Sequence, residues 1–142
     1  MDIGSSNASL TLAIFPLFAI PQVLQGFATD DVYDIPRIKS VDTQMGVDGV
    51  LSAGFTYVEI PQTIYLQADS ASNLVFDTWW AQMQAAQTTY RAQGLIRLPS
   101  IGSKFVQRNG FLTGYKPSPQ VKKLLQRREY EITWEAIFPL PA

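Results

Sequence analysis

The chain contains neither cysteine nor histidine. Without cysteine no disulfide can staple it, so its stability comes from a packed core or from assembly. Thiolate nucleophiles, imidazole acid–base chemistry and His/Cys metal sites are excluded by the same two absences. Charge is scarce as well. Only 16% of residues are Asp, Glu, Lys or Arg, against about a quarter in an ordinary globular domain. Much of the surface is therefore neutral, and an oligomer would cover part of it. No nucleophile motif, phosphate-binding loop or dinucleotide fingerprint occurs, and no dense Asp/Asn/Gly run suggests a calcium loop. No catalytic residue, cofactor or metal is expected.

Long apolar runs are missing too. Leu10–Ile20 is interrupted by Pro16 and followed by Pro21, and it is too short to cross a bilayer. No Lys or Arg precedes Arg37, so the run lacks the basic flank of a signal peptide. It reads as a strand, membrane insertion is not expected, and the sequon at Asn7-Ala8-Ser9 then carries no meaning.

What is present is a charge split beneath a net charge of −1. Residues 1–80 carry nine carboxylates against Arg37 and Lys39, a sum of −7. Residues 81–142 carry nine basic residues against Glu129, Glu131 and Glu135, a sum of +6. Such a chain can offer an acidic and a basic surface to copies of itself, or a basic region to nucleic acid. At 142 residues it is one domain, and its first eight residues, small and polar, are expected to be loose.

Period-two alternation recurs along the chain. Ser9–Ala19 reads as a strand, bent or at an edge where Pro16 falls, and Val23–Ala28 as a second. Arg37–Val47 and Val50–Glu59 read as two arms of a long hairpin, closed at Asp48-Gly49 by a type I′ turn. Its members Gln44, Met45, Gly46, Val47, Asp48, Gly49, Val50 and Leu51 are candidates for docking onto a neighbour. Thr63–Ala68 is a strand with Ile64 and Leu66 on one face. A helix is expected over about 73–93, with Ser70 and Ser72 as N-caps, Asp77 favoured by the helix dipole and Gly94 as its stop. Phe76, Trp79, Trp80, Met83 and Tyr90 form its apolar stripe, one tryptophan in the core and the other at a rim or partner. Beyond it, Leu95–Leu98 is a short strand, and Arg108-Asn109-Gly110 reads as a hairpin turn between Phe105–Gln107 and Phe111–Tyr115. In the last strand Tyr130, Ile132, Trp134, Ala136 and Phe138 form the core face, opposite a wet face bearing Glu129, Glu131 and Glu135. The sum is a mainly β (α+β) chain: an antiparallel sandwich or barrel with one flanking helix.

Two chemical readings remain. Glu129 and Glu131 share a strand face at roughly 6.5–7 Å, a spacing that fits a carboxylate hydrolase, but they alternate with core residues as a solvated face does. Lys122, Lys123, Arg127 and Arg128 could hold phosphates. However, no aromatics are interleaved with them, and pairing with an acidic patch on another subunit, Asp30, Asp31 and Asp34, fits better.

The segments Met45–Gly54, Tyr65–Ser70, Phe76–Tyr90, Leu98–Gly102, Gly110–Pro119 and Tyr130–Glu135 together resemble the tail tube proteins of contractile-tailed bacteriophages. The resemblance covers about 31–138. It implies a structural virion protein made in the host cytoplasm, with no enzymatic activity. Six copies would join sheets into a ring, and rings would stack into a tube that conducts the genome without sequence-specific binding. Tail sheath and baseplate proteins would be its partners. Related rings include the type VI secretion tube protein and baseplate proteins that start the tube. The long hairpin arm would engage neighbouring rings, and Glu129, Glu131 and Glu135 are candidates for the lumen lining. The alternatives are a baseplate or neck ring of the same fold, and a monomeric β-barrel module for a small ligand.

Overall fold

The computed structural model describes residues 8–15, 17–28, 32–119 and 121–141. The elements run β1 (Ser9–Phe15), β2 (Phe18–Val23), β3 (Tyr33–Asp34), β4 (Val41–Met45), β5 (Leu51–Phe55), β6 (Ile60–Leu66), α1 (Asn73–Ala86), β7 (Arg91–Leu98), β8 (Ser103–Tyr115) and β9 (Arg128–Pro141). Seven strands form one antiparallel sheet in the order β2-β1-β7-β8-β9-β6-β3, while β4 and β5 pair only with each other. Alternation sends Leu10, Leu12, Ile14, Ile64, Leu66, Tyr130, Ile132 and Trp134 to one face, where Phe76 and Trp79 of α1 complete the core. The two ends of the sheet are tied together by the chain after β2. Leu24 N–H bonds Leu10 O at 2.9 Å, and Ala28 N–H bonds Tyr65 O at 3.1 Å. The result is a barrel-like sandwich with one flanking helix.

At the start of α1 the Ser70 Oγ accepts the Ser72 N–H at 3.2 Å, as a cap does, and the expected cap Ser72 is instead stitched to the chain beside it. Ser72 is itself helical (φ −71, ψ −13) and makes no side-chain capping bond. Its Oγ instead accepts the Gln25 N–H at 2.7 Å, and the Ser70 hydroxyl donates to Gln25 O. Asn73 Nδ2 donates to Gln67 O at 3.0 Å and to Ala68 O at 3.2 Å, while its Oδ1 accepts the Tyr130 hydroxyl at 2.8 Å. Trp79 is fully buried and Trp80 is 37% exposed, the division expected of the tryptophan pair. Trp80 stacks on Tyr115 with ring centroids 4.9 Å apart.

The helix ends seven residues before the expected 93. Gln87 turns left-handed at φ 53, the β-branched Thr88 and Thr89 follow, and from Arg91 the chain pairs with β1 from Phe15 back to Ser9. Gly94 is therefore not a helix stop. It lies inside β7, where a Cβ would sit 2.8 Å from Trp134 Cη2 and 2.7 Å from Gln107 Oε1. The run expected as one strand over 9–19 is two antiparallel strands, β1 and β2, and the second strand expected at 23–28 is mostly the link that ties the sheet ends.

The hairpin expected at Arg108-Asn109-Gly110 does not form: β8 runs straight through it. Asn109 adopts φ 50 within a bulge against β7, a conformation that Asn tolerates in bulges as well as in turns. Gly110 is required by packing, since a Cβ there would meet Trp134 Cε3 at 2.5 Å. The alternation of β9 also shifts beside the bulge. Ile137 packs on the core, while Ala136 is half-buried and Phe138, expected inside, is 44% exposed on the outer face.

Candidate functional site

The β4–β5 hairpin stands away from the barrel. Every residue in both strands is exposed, and the pairing is shorter than the expected 37–47 and 50–59 arms. The cross-strand pairs Val41↔Phe55, Thr43↔Ala53 and Met45↔Leu51 share one face, and Asp42↔Gly54 and Gln44↔Ser52 share the other. The arm is therefore an amphipathic ribbon with its apolar face in water. Phe55 packs edge-on against Tyr57 with centroids 5.1 Å apart. An isolated two-stranded hairpin is marginal in water, and burying one such large apolar side chain is worth about 1.5–3 kcal/mol.

The tip is not the expected type I′ turn. Among described non-glycine residues only Gln87 and Asn109 have positive φ, so Val47 and Asp48 keep negative φ and Gly49 alone turns left-handed at φ +85. Gly49 N–H bonds Gly46 O at 3.0 Å, Gly46 N–H bonds Val50 O at 2.8 Å, and Asp48 Oδ1 accepts the Val50 N–H at 3.1 Å. This closes the tip and leaves Val47 projecting into solvent.

The basic residues before β9 divide. Lys122 and Lys123 are exposed. Arg127 lies over the Tyr65 ring at 4.3 Å and 3.8 Å from Glu129. Arg128, expected to face another subunit, is buried at 6% exposure. Its guanidinium bonds both oxygens of Asp77, at 2.8 and 3.2 Å, and donates to Lys116 O at 3.0 Å. Buried aromatic surroundings and a desolvated site favour pairing this charge within the chain. Asp77, in turn, is not a dipole-stabilised residue of the first helical turn. It accepts from the Tyr115 hydroxyl and from Arg128. Burial pushes its pKa upward, but those two bonds and the Arg128 charge outweigh burial and hold it below the ordinary value. Burial, with the Asp77 hydrogen bond and charge, raises the Tyr115 phenol; burial first of all raises that of Tyr130. This clamp joins the helix to the last strand, and only a structure could find it, because Asp77 and Arg128 lie far apart in sequence.

Glu129, Glu131 and Glu135 all face solvent on the outer side of β9, as the alternation indicated. Glu131 accepts from the Thr113 hydroxyl at 3.3 Å, and Glu135 accepts from Asn109 Nδ2. Glu129 and Glu131 line an open cavity of about 370 Å³ with Thr63, Tyr115, Lys116 and Pro117, but both stay exposed, whereas a general acid needs a carboxyl desolvated in an apolar pocket. Asp34 is exposed in β3; Asp30 and Asp31 lie outside the described residues. No cluster of metal-capable side chains occurs among the described residues, and no helix there is long and apolar enough to cross a membrane. A groove of about 520 Å³, lined by Tyr33, Asp34, Ile35, Ile96, Phe105 and Ile137 among others, opens beneath the end of β9.

Known folds match this architecture. A chain of the anti-feeding prophage baseplate aligns with a TM-score of 0.64 and 9% identity, covering 99% of this chain and 97% of that one. A chain from the sheath/tube terminator of an extracellular contractile injection system gives 0.66 and 13%, with coverage of 99% and 97%. One from that system's sheath–tube complex gives 0.57 and 14%, with coverage of 94% and 88%. At these identities the likeness establishes the fold. No curated protein matches. The family model described as tail fiber protein gp32 matches residues 1–138, nearly the whole length, and the chain belongs to that phage-tail family.

Proposed function

We propose that the chain is a structural subunit of a phage tail, assembling into rings through the β4–β5 arm. The observation that carries this reading is the arm's apolar face, Val41, Met45, Leu51 and Phe55, which is exposed in the single chain. A ribbon so built needs a partner to bury it, and sheet edges left open in a monomer are closed in a ring of copies. The ring is a homohexamer stacked against other tail rings, and its lumen conducts the genome during ejection. Glu129, Glu131 and Glu135 line the lumen, where carboxylates repel phosphate mildly and let the duplex slide. Lys122, Lys123 and Arg127 face Asp30, Asp31 and Asp34 of a neighbouring copy, with Arg128 held back for the internal clamp. Sheath and baseplate proteins surround the assembly.

A second reading places the ring at the baseplate or neck instead of along the tube. The baseplate and terminator chains superpose better than the sheath–tube chain, at 0.64 and 0.66 against 0.57, and this favours an adaptor ring. Copy number in purified particles separates the two: one or two rings per tail for an adaptor, many for a tube. Electron microscopy of the purified protein tests the common claim. Rings or short tubes support it; a monomer at every concentration contradicts it and favours a small-ligand module that uses the apolar groove.

A further inference from the structure

The outer face of the sheet carries a second apolar surface near the end of β9, where Phe138 and Leu140 are exposed and Leu95 and Val106 half-buried. Leu95 of β7 pairs with Val106 of β8, and Val106 pairs with Phe138 of β9, so the three form a stripe across three strands. The next row is Arg97, Lys104 and Leu140. Arg108 lies over the Phe138 ring at 5.9 Å, which places it on the same face. Among the described residues no carboxylate lies within ion-pair distance of Arg97, Lys104 or Arg108. Phe138 faces outward beside the Asn109 bulge, where β9 departs from the alternation of Tyr130, Ile132 and Trp134. The stripe is an apolar surface bordered by three cations that make no ion pair with a described carboxylate.

The arm is its complement. No Lys or Arg occurs anywhere in residues 40–90, so the ribbon carries Asp42 and Asp48 without a cation of its own. Its apolar ladder ends at Met45↔Leu51, next to the tip carboxylate of Asp48. The apolar groove at Tyr33–Ile35 is a poorer seat, because Asp34 lines it and would repel Asp48. We propose that the acceptor of the arm is the Phe138 end of the outer β7–β8–β9 face of a second copy, past the stretch of β9 whose Glu129, Glu131 and Glu135 line the lumen. Met45 and Leu51 lie on Val106 and Phe138, and Asp48 sits among Arg97, Lys104 and Arg108. This rests on the ring reading and names the surface that completes it. The contact is heterologous, arm of one copy to sheet of the next, and therefore propagates around or between rings.

The absence of cysteine makes the test clean. A Val47→Cys chain is mixed with a size-tagged Leu140→Cys chain, assembled and oxidised; both positions are exposed and outside the core. The proposal predicts disulfide-linked heterodimers, absent when the second cysteine is placed at Thr88 instead. Adding Lys104→Glu and Arg108→Glu to the tagged chain cuts the heterodimer yield on the order of tenfold, and Asp48→Lys on the arm chain restores part of it. Rings in the microscope without a disulfide between the V47C and L140C chains would overturn the acceptor surface and leave the ring reading standing. A chain that stays monomeric would overturn both.

Discussion

Arg128 sits where the last strand begins and holds three segments at once: Asp77 of the helix, Tyr115 at the end of β8, and the carbonyls of Lys116 and Pro117. Arg128→Met keeps most of the packing volume but strands Asp77 and frees the 116–127 loop. It is expected to lower stability on the order of 2–3 kcal/mol, discounted for the partial exposure of Asp77, as read by urea unfolding. The pH dependence follows from the same pair. The folded pKa of Asp77 is depressed, so its contribution is present above the ordinary carboxylate range and is lost as pH falls through the depressed value. Tyr115 and Tyr130 are raised, so their contribution holds below about pH 10 and is lost as pH climbs through the folded values. Asp77→Asn should therefore flatten the acid limb of the stability profile and weaken the alkaline limb only in part, because burial is the first cause of both tyrosine shifts and Asp77 a lesser one. An unchanged acid limb would mean that the clamp contributes nothing. At Gly110 the limit is space: the Trp134 ring occupies the position of a Cβ. Gly110→Ala should cost about 1–3 kcal/mol, seen as a lower melting temperature.

At the scale of elements, the arm and the barrel are separable. No residue of β4 or β5 is buried, so replacing 41–55 with a short Gly/Ser turn should leave the melting transition of the barrel nearly unchanged while abolishing assembly. A large fall in melting temperature would mean that the arm is part of the fold. Elements with strong local signals were readable from sequence. These include the alternation of Tyr130, Ile132 and Trp134, the hairpin around Gly49, and the helix start at Asn73. The rest depended on distant partners. Asn109-Gly110 suits a turn or a bulge equally by local conformation, and the Trp134 ring decides between them. Tyr90 falls on the helical stripe by spacing, but pairing with β1 claims the chain from Arg91. Arg127 and Arg128 are neighbours of the same type, and only the position of Asp77 sends one inward. Of the proposed assembly surface, the arm was legible because it is contiguous. The outer stripe was not, because it is made of single residues from three strands.

For the whole molecule, the charge split does not divide it into two lobes. Strands of the basic half (β7, β8, β9) lie at the centre of one sheet, flanked on both sides by strands of the acidic half (β1 and β2, β6 and β3). Some of the opposite charge is consumed internally, as between Asp77 and Arg128. Among what remains exposed are an arm without cations and an outer face that carries Arg97, Lys104 and Arg108, an arrangement suited to contacts between copies. Assembly should therefore weaken as salt rises from about 0.05 to about 0.5 M, on the order of the screening expected for exposed pairs, and assembly indifferent to salt would assign the contact to apolar burial alone. The central claim is that the exposed apolar face of the arm drives ring formation. Sedimentation of the wild type beside Met45→Asp/Leu51→Asp tests it most directly. The account predicts ring-sized particles for the wild type and a folded monomer with an unchanged melting temperature for the variant. A variant that forms rings as readily as the wild type would contradict it.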